Sequence, residues 1–430
     1  METVLTALKR FIPKPLFKTL QPSYHYLLAF LGAVIYRFPS RSLTVIAVSG
    51  TKGKSTVTEI VGSIFEAAGY KTALANTIRF KIGERSRPNL YKMTMPGRFF
   101  IQKFLRQAVD ANCSHAVVEV TSEAAVLSRH RFIELDALII TNIAPEHIEA
   151  HGSYEKYVDA KLSIAHSLSS SSKKRRHLIV NADDKEAGRF LATPNVEKHT
   201  YSLKNVAYTL KENGIELIWK NQKITSPLLG VFNIYNLLAA GACGEAFGIP
   251  DETIGEALGE FKSAPGRLQK IDAGQDFEVF VDYAHTIESL EAIYRTFPNK
   301  RKICILGSTG GGRDRWKRPK MGEVADNYCT EIILTNDDPY DEDPQSILEE
   351  IATGIRNKKP ELIIDRREAI KKALEVATLR QAQGDKNVVV LVTGKGTDPY
   401  LMEAGGKKTP WSDAQVAREE IEKLLHARTS

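Results

Sequence analysis

The stretch Ser49-Gly50-Thr51-Lys52-Gly53-Lys54-Ser55-Thr56 sets two glycines, two lysines and a run of hydroxyls directly after the apolar piece TVIAV at 44–48. Glycines let backbone N–H groups curl around phosphate oxygens, and a helix N-terminus adds positive potential. Lys54 can neutralise phosphate, and the Ser55 hydroxyl can hold Mg²⁺. A helix is expected next, because Val57, Ile60, Val61, Ile64, Phe65 and Ala68 recur at helical spacing and Gly69 is placed to end it. The usual phosphate-loop spacing asks for glycine at 48, where this chain has Val48, so the loop reads as a shortened GxxGK[ST] form. A purely structural turn is the alternative, and the strand before and helix after the loop favour phosphate.

Glu119 lies in the apolar run AVVEV (116–120), where an acid needs a partner or a metal. A salt bridge at the strand end would serve equally. Downstream of ALII, the segment 141–167 (TNIAPEHIEAHGSYEKYVDAKLSIAHS) gathers His147, His151, several acids and Lys161 at the edge where open α/β sheets bind ligands. From spacing alone His147 is a metal ligand, a general base or a surface histidine, and Lys161 on a helix is a solvated charge.

These residues need strand ends to hold them. Runs at 44–48, 116–120, 137–143 and 177–180 alternate with amphipathic segments, the pattern of a parallel sheet covered by helices. Around 199–229 short alternating pieces predict a small antiparallel insertion, and helices return at 233–262. After SAPGR (263–267) a second α/β series begins, with strands at 278–283, 302–307, 331–336 and 388–394. The predicted organisation is a short leader at 1–42, a central α/β domain at 43–264 and a C-terminal α/β domain at 265–430. In the leader Pro13, Pro15 and Pro22 break the early part, and the apolar piece 26–38 predicts a packed helix or one that docks at an interface.

Length and composition agree with this division. The 430 residues are 43% hydrophobic and 26% charged, a globular balance that excludes collagenous and disordered classes and predicts two or three cores. The net charge of +7 suits an anionic ligand or an ordinary surface better than a dedicated nucleic-acid binder. The basic run KKRR (173–176) reads as a solvated loop. Cys113, Cys243, Cys304 and Cys329 form no CxxC pair, so neither a zinc knuckle nor a disulfide framework is expected, and a reducing cytoplasm fits. The apolar piece at 26–38 is short of the ~20 residues a membrane span requires.

Twelve pieces in order carry a resemblance: GTKGKST (50–56), MTMPGRF (93–99), EVTSEA (119–124), TNIAPEHIEAHGSYEKYVDAK (141–161), NADD (181–184), GVFNIYNLLAA (230–240), APGR (264–267), VDYAHTIESLE (281–291), GGGRDRWKRPKM (310–321), TNDDPYDEDP (335–344), GKGTDPY (394–400) and SDAQVARE (412–419). Together they resemble the ATP-dependent Mur ligase family over residues 43–430, and DYAHT with RDRxKRPxM favours its MurE type, which adds the third residue of the peptidoglycan stem peptide. The resemblance implies a central ATPase domain and a Rossmann-like C-terminal domain, with ATP, two Mg²⁺ and an acceptor peptide between them. A peptide carboxylate would attack the γ-phosphate to give an acyl phosphate, and an incoming amine would displace phosphate.

By matching positions, Gly50, Thr51, Lys52, Gly53, Lys54, Ser55 and Thr56 would hold the ATP phosphates, and Ser55 and Glu119 the Mg²⁺ that bridges them. His147 would hold the second ion, and Lys161 falls on a lysine the family carbamylates, which turns a cation into an anionic oxygen ligand. Asn233 would contact adenine, and Arg267 and Asp282 would face ribose and phosphates, with Tyr283 and His285 beside them. Thr94, Ser122 and Arg129 match acceptor-binding positions, and Arg313, Asp337, Asp338, Tyr340, Gly394 and Asp398 those that read the incoming amino acid. ATP, a muramoyl peptide and an amino acid are thus the expected partners of a monomer, with no nucleic acid and with membrane-surface contact through the leader.

Three departures qualify the match. Enzymes adding meso-diaminopimelate carry an Asn-Pro-Arg turn whose Arg grips the distal carboxylate, whereas here Asp338 precedes the proline and Tyr340 follows it, so lysine becomes a candidate. Family members carry an N-terminal domain that holds the UDP moiety, and the 42-residue leader is too short to form it, so a lipid-linked muramyl peptide or another acceptor is a second expectation. Glu123 stands where the family has histidine, and nothing in the sequence explains it. Competing readings keep the fold with a folylpolyglutamate, poly-γ-glutamate or cyanophycin-type acceptor, or reduce the chain to a non-catalytic nucleotide-binding module. The amidating relatives' zinc-binding cysteine cluster has no counterpart here.

Overall fold

The computed structural model describes residues 14–146, 148–312, 315–385 and 387–429. They form two units, one of Met1–Val206, Trp219–Ile224 and Tyr235–Leu258, the other of Ala207–Ile218, Thr225–Ile234 and Gly259–Ser430.

In the first unit α1 (Lys14–Ile35) leads to β1 (Thr44–Ser49), α2 (Lys54–Ala67), β2 (Thr72–Ala75), β3 (Arg79–Ile82), β4 (Arg85–Pro88), α3 (Arg98–Asp110), β5 (His115–Glu119), α4 (Ser122–Val126), β6 (Ala137–Ile140), α5 (Ile148–His151), α6 (Tyr154–Ser169), β7 (His177–Asn181), α7 (Ala187–Leu191) and β8 (Glu197–Tyr201). The strands lie in the order β4-β3-β2-β5-β1-β6-β7-β8. β2, β5, β1, β6, β7 and β8 run parallel, while β3 and β4 pair antiparallel at one edge. Val45 and Ala47 pack into a core with Phe104, Leu105 and Ile164. Ile46 and Val48, pointing the other way, are buried too, so helices must cover both faces. β5 and β6 flank β1: the chain passes from β1 to β2 on one side and later crosses from β5 to β6 on the other, a reversal of strand order that opens a crevice beyond the carboxyl ends of these three strands.

Two expectations fail here. The expected antiparallel insertion begins later than 199, because β8 pairs in parallel with β7; its exposed, alternating residues are those of an edge strand, which sequence alone cannot tell from a hairpin. The prolines do not break the leader either, since α1 runs through Pro15 and Pro22. Pro15 sits in the first turn, where its missing N–H has no intrahelical partner, and Pro22 gives up one bond of a long helix. Pro13 lies outside the described residues. The buried residues His25, Ala29 and Ala33 share one side of α1, and Arg98 at the start of α3 bonds His25 Nδ1 at 2.5 Å.

Next come β9 (Tyr208–Lys211), β10 (Gly214–Trp219) and β11 (Gln222–Ser226), a three-stranded sheet, then α8 (Val231–Ala246) and α9 (Asp251–Glu260). Most of α8 and α9 belongs to the first unit; after them the second unit comprises β12 (Gln269–Lys270), β13 (Glu278–Asp282), α10 (Ile287–Arg295), β14 (Arg301–Leu306), α11 (Lys317–Tyr328), β15 (Glu331–Leu334), α12 (Pro344–Ala352), β16 (Glu361–Leu362), α13 (Arg366–Ala382), β17 (Val388–Thr393), β18 (Tyr400–Met402), β19 (Lys408–Pro410) and α14 (Asp413–Thr429). Its sheet has the order β12-β13-β17-β14-β15-β16, parallel except for β12. Alternate residues of β14 enter two different cores, Cys304 and Leu306 on one face, Ile303 and Ile305 on the other.

Cys304 and Cys329 are joined by a disulfide, although their spacing shows no disulfide framework and a reducing compartment is the expectation. They are 25 residues apart, and the excursion through α11 returns Cys329 to within 6.0 Å of Cys304 between Cα atoms, a proximity no spacing motif announces. Among the described residues no helix is long and apolar enough to cross a membrane. The run KKRR is only partly a solvated loop, because Lys173 Nζ donates to the Leu43 carbonyl and Arg176 to the Ser169 carbonyl.

Candidate active site

The loop after β1 is held by the loop after β6. Thr51 N donates to the Asn142 carbonyl at 2.7 Å, and Lys52 N to Asn142 Oδ1 at 2.9 Å. Thr141 Oγ1 donates to the Lys52 carbonyl at 2.6 Å, and Ala144 N to Thr51 Oγ1 at 2.9 Å. Gly50 (φ 141°) and Gly53 (φ 82°) are obligatory: a Cβ on Gly50 would lie 1.9 Å from Thr141 Oγ1, and one on Gly53 2.3 Å from Asn236 Oδ1. α2 begins at Lys54, so the N–H groups of its first turn, those of Lys54, Ser55 and Thr56 included, lack intrahelical partners and supply anion-binding donors. Lys54 Nζ donates to the Thr51 carbonyl at 2.8 Å, and Lys52 pairs with Glu146 at 2.6 Å.

Ser55 Oγ donates to Glu119 Oε2 at 2.8 Å, with both side chains buried. Glu119 also accepts from Thr77 N at 2.9 Å and from Thr77 Oγ1, so it is polar-saturated and needs no salt bridge. A serine hydroxyl and a carboxylate at the mouth of a phosphate loop are hard oxygen donors of the kind Mg²⁺ takes.

Lys161 is not the solvated charge that its spacing alone suggests. It is 1% exposed, and its Nζ donates to the Gly50 carbonyl at 2.7 Å and lies 4.9 Å from the centre of the Tyr157 ring. Burial first, and then the Lys54 charge, hold its amine well below the ordinary lysine range, which favours the neutral, nucleophilic form. Tyr157, one turn earlier on α6, bonds Thr51 Oγ1 at 2.7 Å, so two residues four apart on one helix brace the floor of the loop.

Thr94 Oγ1 lies 2.7 Å from Thr77 Oγ1, which links it through one side chain to Glu119. Ser122 Oγ contacts His151 Nε2 at 3.0 Å. Arg129 Nη1 donates to the Met95 carbonyl at 2.5 Å, and Glu123 is the acid whose charge acts on its guanidinium. Thr77, Thr141, Asn142 and Tyr157 are not singled out by type or spacing in the sequence. Thr141, Asn142 and Tyr157 lie inside a motif already singled out, whereas Thr77 stands in a loop with no signal of its own.

In the second unit, the carboxyl ends of β13, β17 and β15 carry the remaining candidates. Asp282 accepts from Leu268 N at 2.7 Å and from Ala284 N at 2.6 Å, and the Arg267 guanidinium sits 4.3 Å from the Tyr283 ring centre, with His285 edge-on to the same ring. Asp337, Asp338 and Asp398 surround the fully buried Lys395 at 3.8, 2.7 and 3.0 Å. Asp338 also accepts from Met402 N, and Asp337 lies against Gly394, where a Cβ would meet its Oδ2 at 3.2 Å. Burial raises Asp337 above the usual carboxylate range despite Lys395. Tyr340 takes a left-handed φ of 53° in the same turn. Lys395, missed from sequence, is the hub of this cluster. Asn233, in the first turn of α8, donates its Nδ2 to the Leu229 carbonyl at 2.8 Å.

The basic run 313–320, expected to serve phosphates and substrate, is partly structural. Arg318 is wholly buried and paired with Glu342 and Glu350, and Arg315 is held by Glu350. His147 and Arg313 lie outside the described residues.

A phosphate loop at the switch point of a doubly wound sheet, with an acid and a buried lysine behind it, defines a nucleotide-using enzyme of the P-loop class. Residues 48–244 match the Mur ligase middle domain and residues 266–396 the domain described as Mur ligase, glutamate ligase domain. A Bacillus cereus protein named UDP-N-acetylmuramoyl-L-alanyl-D-glutamate--2,6-diaminopimelate ligase is 34% identical over 409 residues, 92% of this chain and 81% of the relative. A Syntrophomonas wolfei protein of the same name is 35% identical, covering 93% and 82%. A solved structure of a ligase of that name aligns with a TM-score of 0.60 at 27% identity over 89% of this chain and 79% of that one. Mycobacterium tuberculosis folylpolyglutamate synthase aligns at 0.70 over 86% of this chain and 93% of that one, but at 16% identity it speaks for the fold alone. The chain belongs to the Mur ligase family, ATP-dependent ligases that form carbon–nitrogen bonds, and it is of the MurE type. Its activity is that of an amide ligase in peptidoglycan precursor synthesis.

Proposed function

We propose that this chain joins an amino acid to UDP-MurNAc-L-Ala-D-Glu through an acyl phosphate. The D-Glu carboxylate attacks the γ-phosphorus and ADP leaves; the incoming amine then attacks the acyl carbon, loses its proton, and inorganic phosphate departs. Gly50 to Thr56 bind the phosphates through backbone N–H groups, and Lys54 screens the approach of two anions. Ser55 and Glu119 would hold one Mg²⁺ and His147 a second, and the ions supply further charge screening when bound. The neutral amine of Lys161 is suited to add CO₂, forming an N–C bond and releasing a proton, which would give a carbamate that serves the second ion. Thr94, Ser122 and Arg129 bind the acceptor. Asn233, Arg267 and Asp282 serve the nucleotide. Asp337, Gly394 and Asp398, with Arg313, read the incoming amino acid around Lys395. The observation that carries the reading is the Ser55–Glu119 hydrogen bond at the loop mouth, above a lysine buried on the Gly50 carbonyl.

The incoming amino acid is read as lysine. Tyr340 stands where an arginine would grip a distal carboxylate, and the nearby Arg318 and Arg366 are already held by Glu342 and Asp413. Amine-dependent phosphate release from Mg-ATP and UDP-MurNAc-L-Ala-D-Glu, scanned over lysine, meso-diaminopimelate and ornithine with a Lys54→Ala control, tests both statements. Release with lysine that the control abolishes is expected. Equal or better use of meso-diaminopimelate removes the lysine assignment, and silence with every amine removes the acceptor. The enzyme is read as a cytoplasmic monomer.

We also propose that α1 docks on an anionic membrane surface. Tyr26, Leu27, Phe30, Leu31, Val34 and Ile35 recur on one helical face and are each at least 40% exposed. Residues 3–42 contain Lys9, Arg10, Lys14, Lys18, Arg37 and Arg41 and no acid, the charge that anionic headgroups attract. Co-sedimentation with phosphatidylglycerol vesicles, lost in a Leu27→Asp/Leu31→Asp variant and weak on phosphatidylcholine, is expected; equal partitioning of variant and parent would overturn it.

A further inference from the structure

At the opposite end of the first sheet from the phosphate loop, β7 and β8 set His177, Glu197 and His199 side by side. His177 is the first residue of β7 and lies directly across from Glu197 on the edge strand β8. Residues two apart on a strand share a face, so His199 points to the same side as Glu197. His177 Nδ1 is 3.0 Å from His199 Nε2 and 3.4 Å from Glu197 Oε2, and the donor atoms of all three lie within 4.8 Å of one another.

From these distances we infer that the three side chains form a site for a borderline first-row divalent cation such as Zn²⁺. Nitrogen and oxygen donors about 2.0–2.2 Å from a zinc ion stand roughly 3.3–3.5 Å apart when tetrahedral. The spacings here approach that edge length, so little movement would complete the site. Two imidazoles and one carboxylate are a donor set for zinc and its neighbours rather than for Mg²⁺, which prefers oxygen. The site is shaped before the ion arrives: His177 is buried and its ring packs edge-on against Phe247 at 5.1 Å, while His199 and Glu197 are open to solvent water that can fill the remaining position. Burial also holds the His177 imidazole below its ordinary value, in the neutral form that ligates. The Glu197 carboxylate opposes this shift, while the charges of His199 and Arg175 add to it.

Without an ion, His177 Nδ1 carries at most one proton for two neighbours, so one contact is left without a donor; a cation satisfies all three atoms at once. The ion would staple the exposed edge strand β8 to β7 and take no part in nucleotide chemistry.

The test uses the tag-free full chain, stripped with a chelator, with Glu197→Gln and His199→Gln as variants on exposed and half-buried edge positions where folding is not at stake. Zn²⁺ uptake is measured by competition against a fluorescent chelator, with Co²⁺ absorption as a geometric probe. The parent is expected to bind one equivalent of Zn²⁺ that each variant lacks or holds at least tenfold more weakly, and to gain thermal stability with Zn²⁺ where the variants do not. Phosphate release with Mg-ATP should be equal in all three. If the parent takes up no more Zn²⁺ than the variants, or all three gain the same stability, the cluster is a hydrogen-bonded triad only and the proposal fails.

Discussion

Gly50→Ala isolates the geometry on which the phosphate loop depends. The added Cβ would stand 1.9 Å from Thr141 Oγ1 and 3.1 Å from both N and O of Asn142, so the hydroxyl must swing away. Thr141 Oγ1 then gives up its 2.6 Å bond to the Lys52 carbonyl, a loss of about 1 kcal/mol, while Asn142 Nδ2 still donates to that carbonyl at 3.0 Å. Holding alanine at the φ of 141° costs a further ~1–3 kcal/mol. The total, about 3 kcal/mol, corresponds to roughly two orders of magnitude in an equilibrium constant. It falls on Mg-ATP affinity if the loop distorts, and on thermal stability if it does not. Calorimetric titration of Mg-ATP together with a melting curve captures both routes. Thr141→Ala alone should cost about 1 kcal/mol, and Gly50→Ala/Thr141→Ala should be no more impaired than Gly50→Ala, because the Thr141 bond is already lost in the single variant. A Gly50→Ala protein within about threefold of the parent in affinity and unchanged in melting, or a double variant whose defects simply add, would refute the reasoning.

Lys161→Met should abolish phosphate release while leaving Mg-ATP affinity within about tenfold, since a buried amine is replaced by an apolar chain of similar length; loss of ATP binding itself would make Lys161 a loop brace only. Tyr340→Arg should raise kcat/KM for meso-diaminopimelate relative to lysine by about tenfold or more, the value of one charged hydrogen bond, measured by phosphate release with each amine. Arg366 and Asp413 are paired at 2.7 Å with neither side chain exposed, so Arg366→Met should destabilise by about 3–5 kcal/mol in urea unfolding, and Arg366→Met/Asp413→Leu should recover much of it. Burial pushes His130 down to about 4, below the ordinary histidine value of about 6.5. Between those values the unfolded chain binds the proton and the folded one does not, so stability falls as pH drops through that window. The cost is about 2 kcal/mol between pH 7 and 5, and His130→Phe should flatten that part of the profile.

Local chemistry was written in the sequence where one short segment carries the whole function. The strand, glycine loop and helix at 44–67 are legible because apolar period and glycine placement both report on neighbours a few residues away. So is the alternation of strand and helix that makes two α/β units. Long-range proximity was not legible, because it depends on strand order. Only the sheet order puts β5 and β6 on either side of β1, and so brings Glu119, Thr141 and Asn142 to the loop. Lys161 has the spacing of a surface charge on α6; its burial follows from that helix packing its Tyr157 and Lys161 under Gly50 and Thr51. Lys395 lies inside the GKGTDPY piece with nothing to single it out until β15 and β17 end near one another and three aspartates close around it. The disulfide between Cys304 and Cys329 and the cluster of His177, Glu197 and His199 likewise exist only once neighbouring strands are in register. What a residue is, and its period, travel with the chain, but which distant residue it meets is set when the sheets assemble.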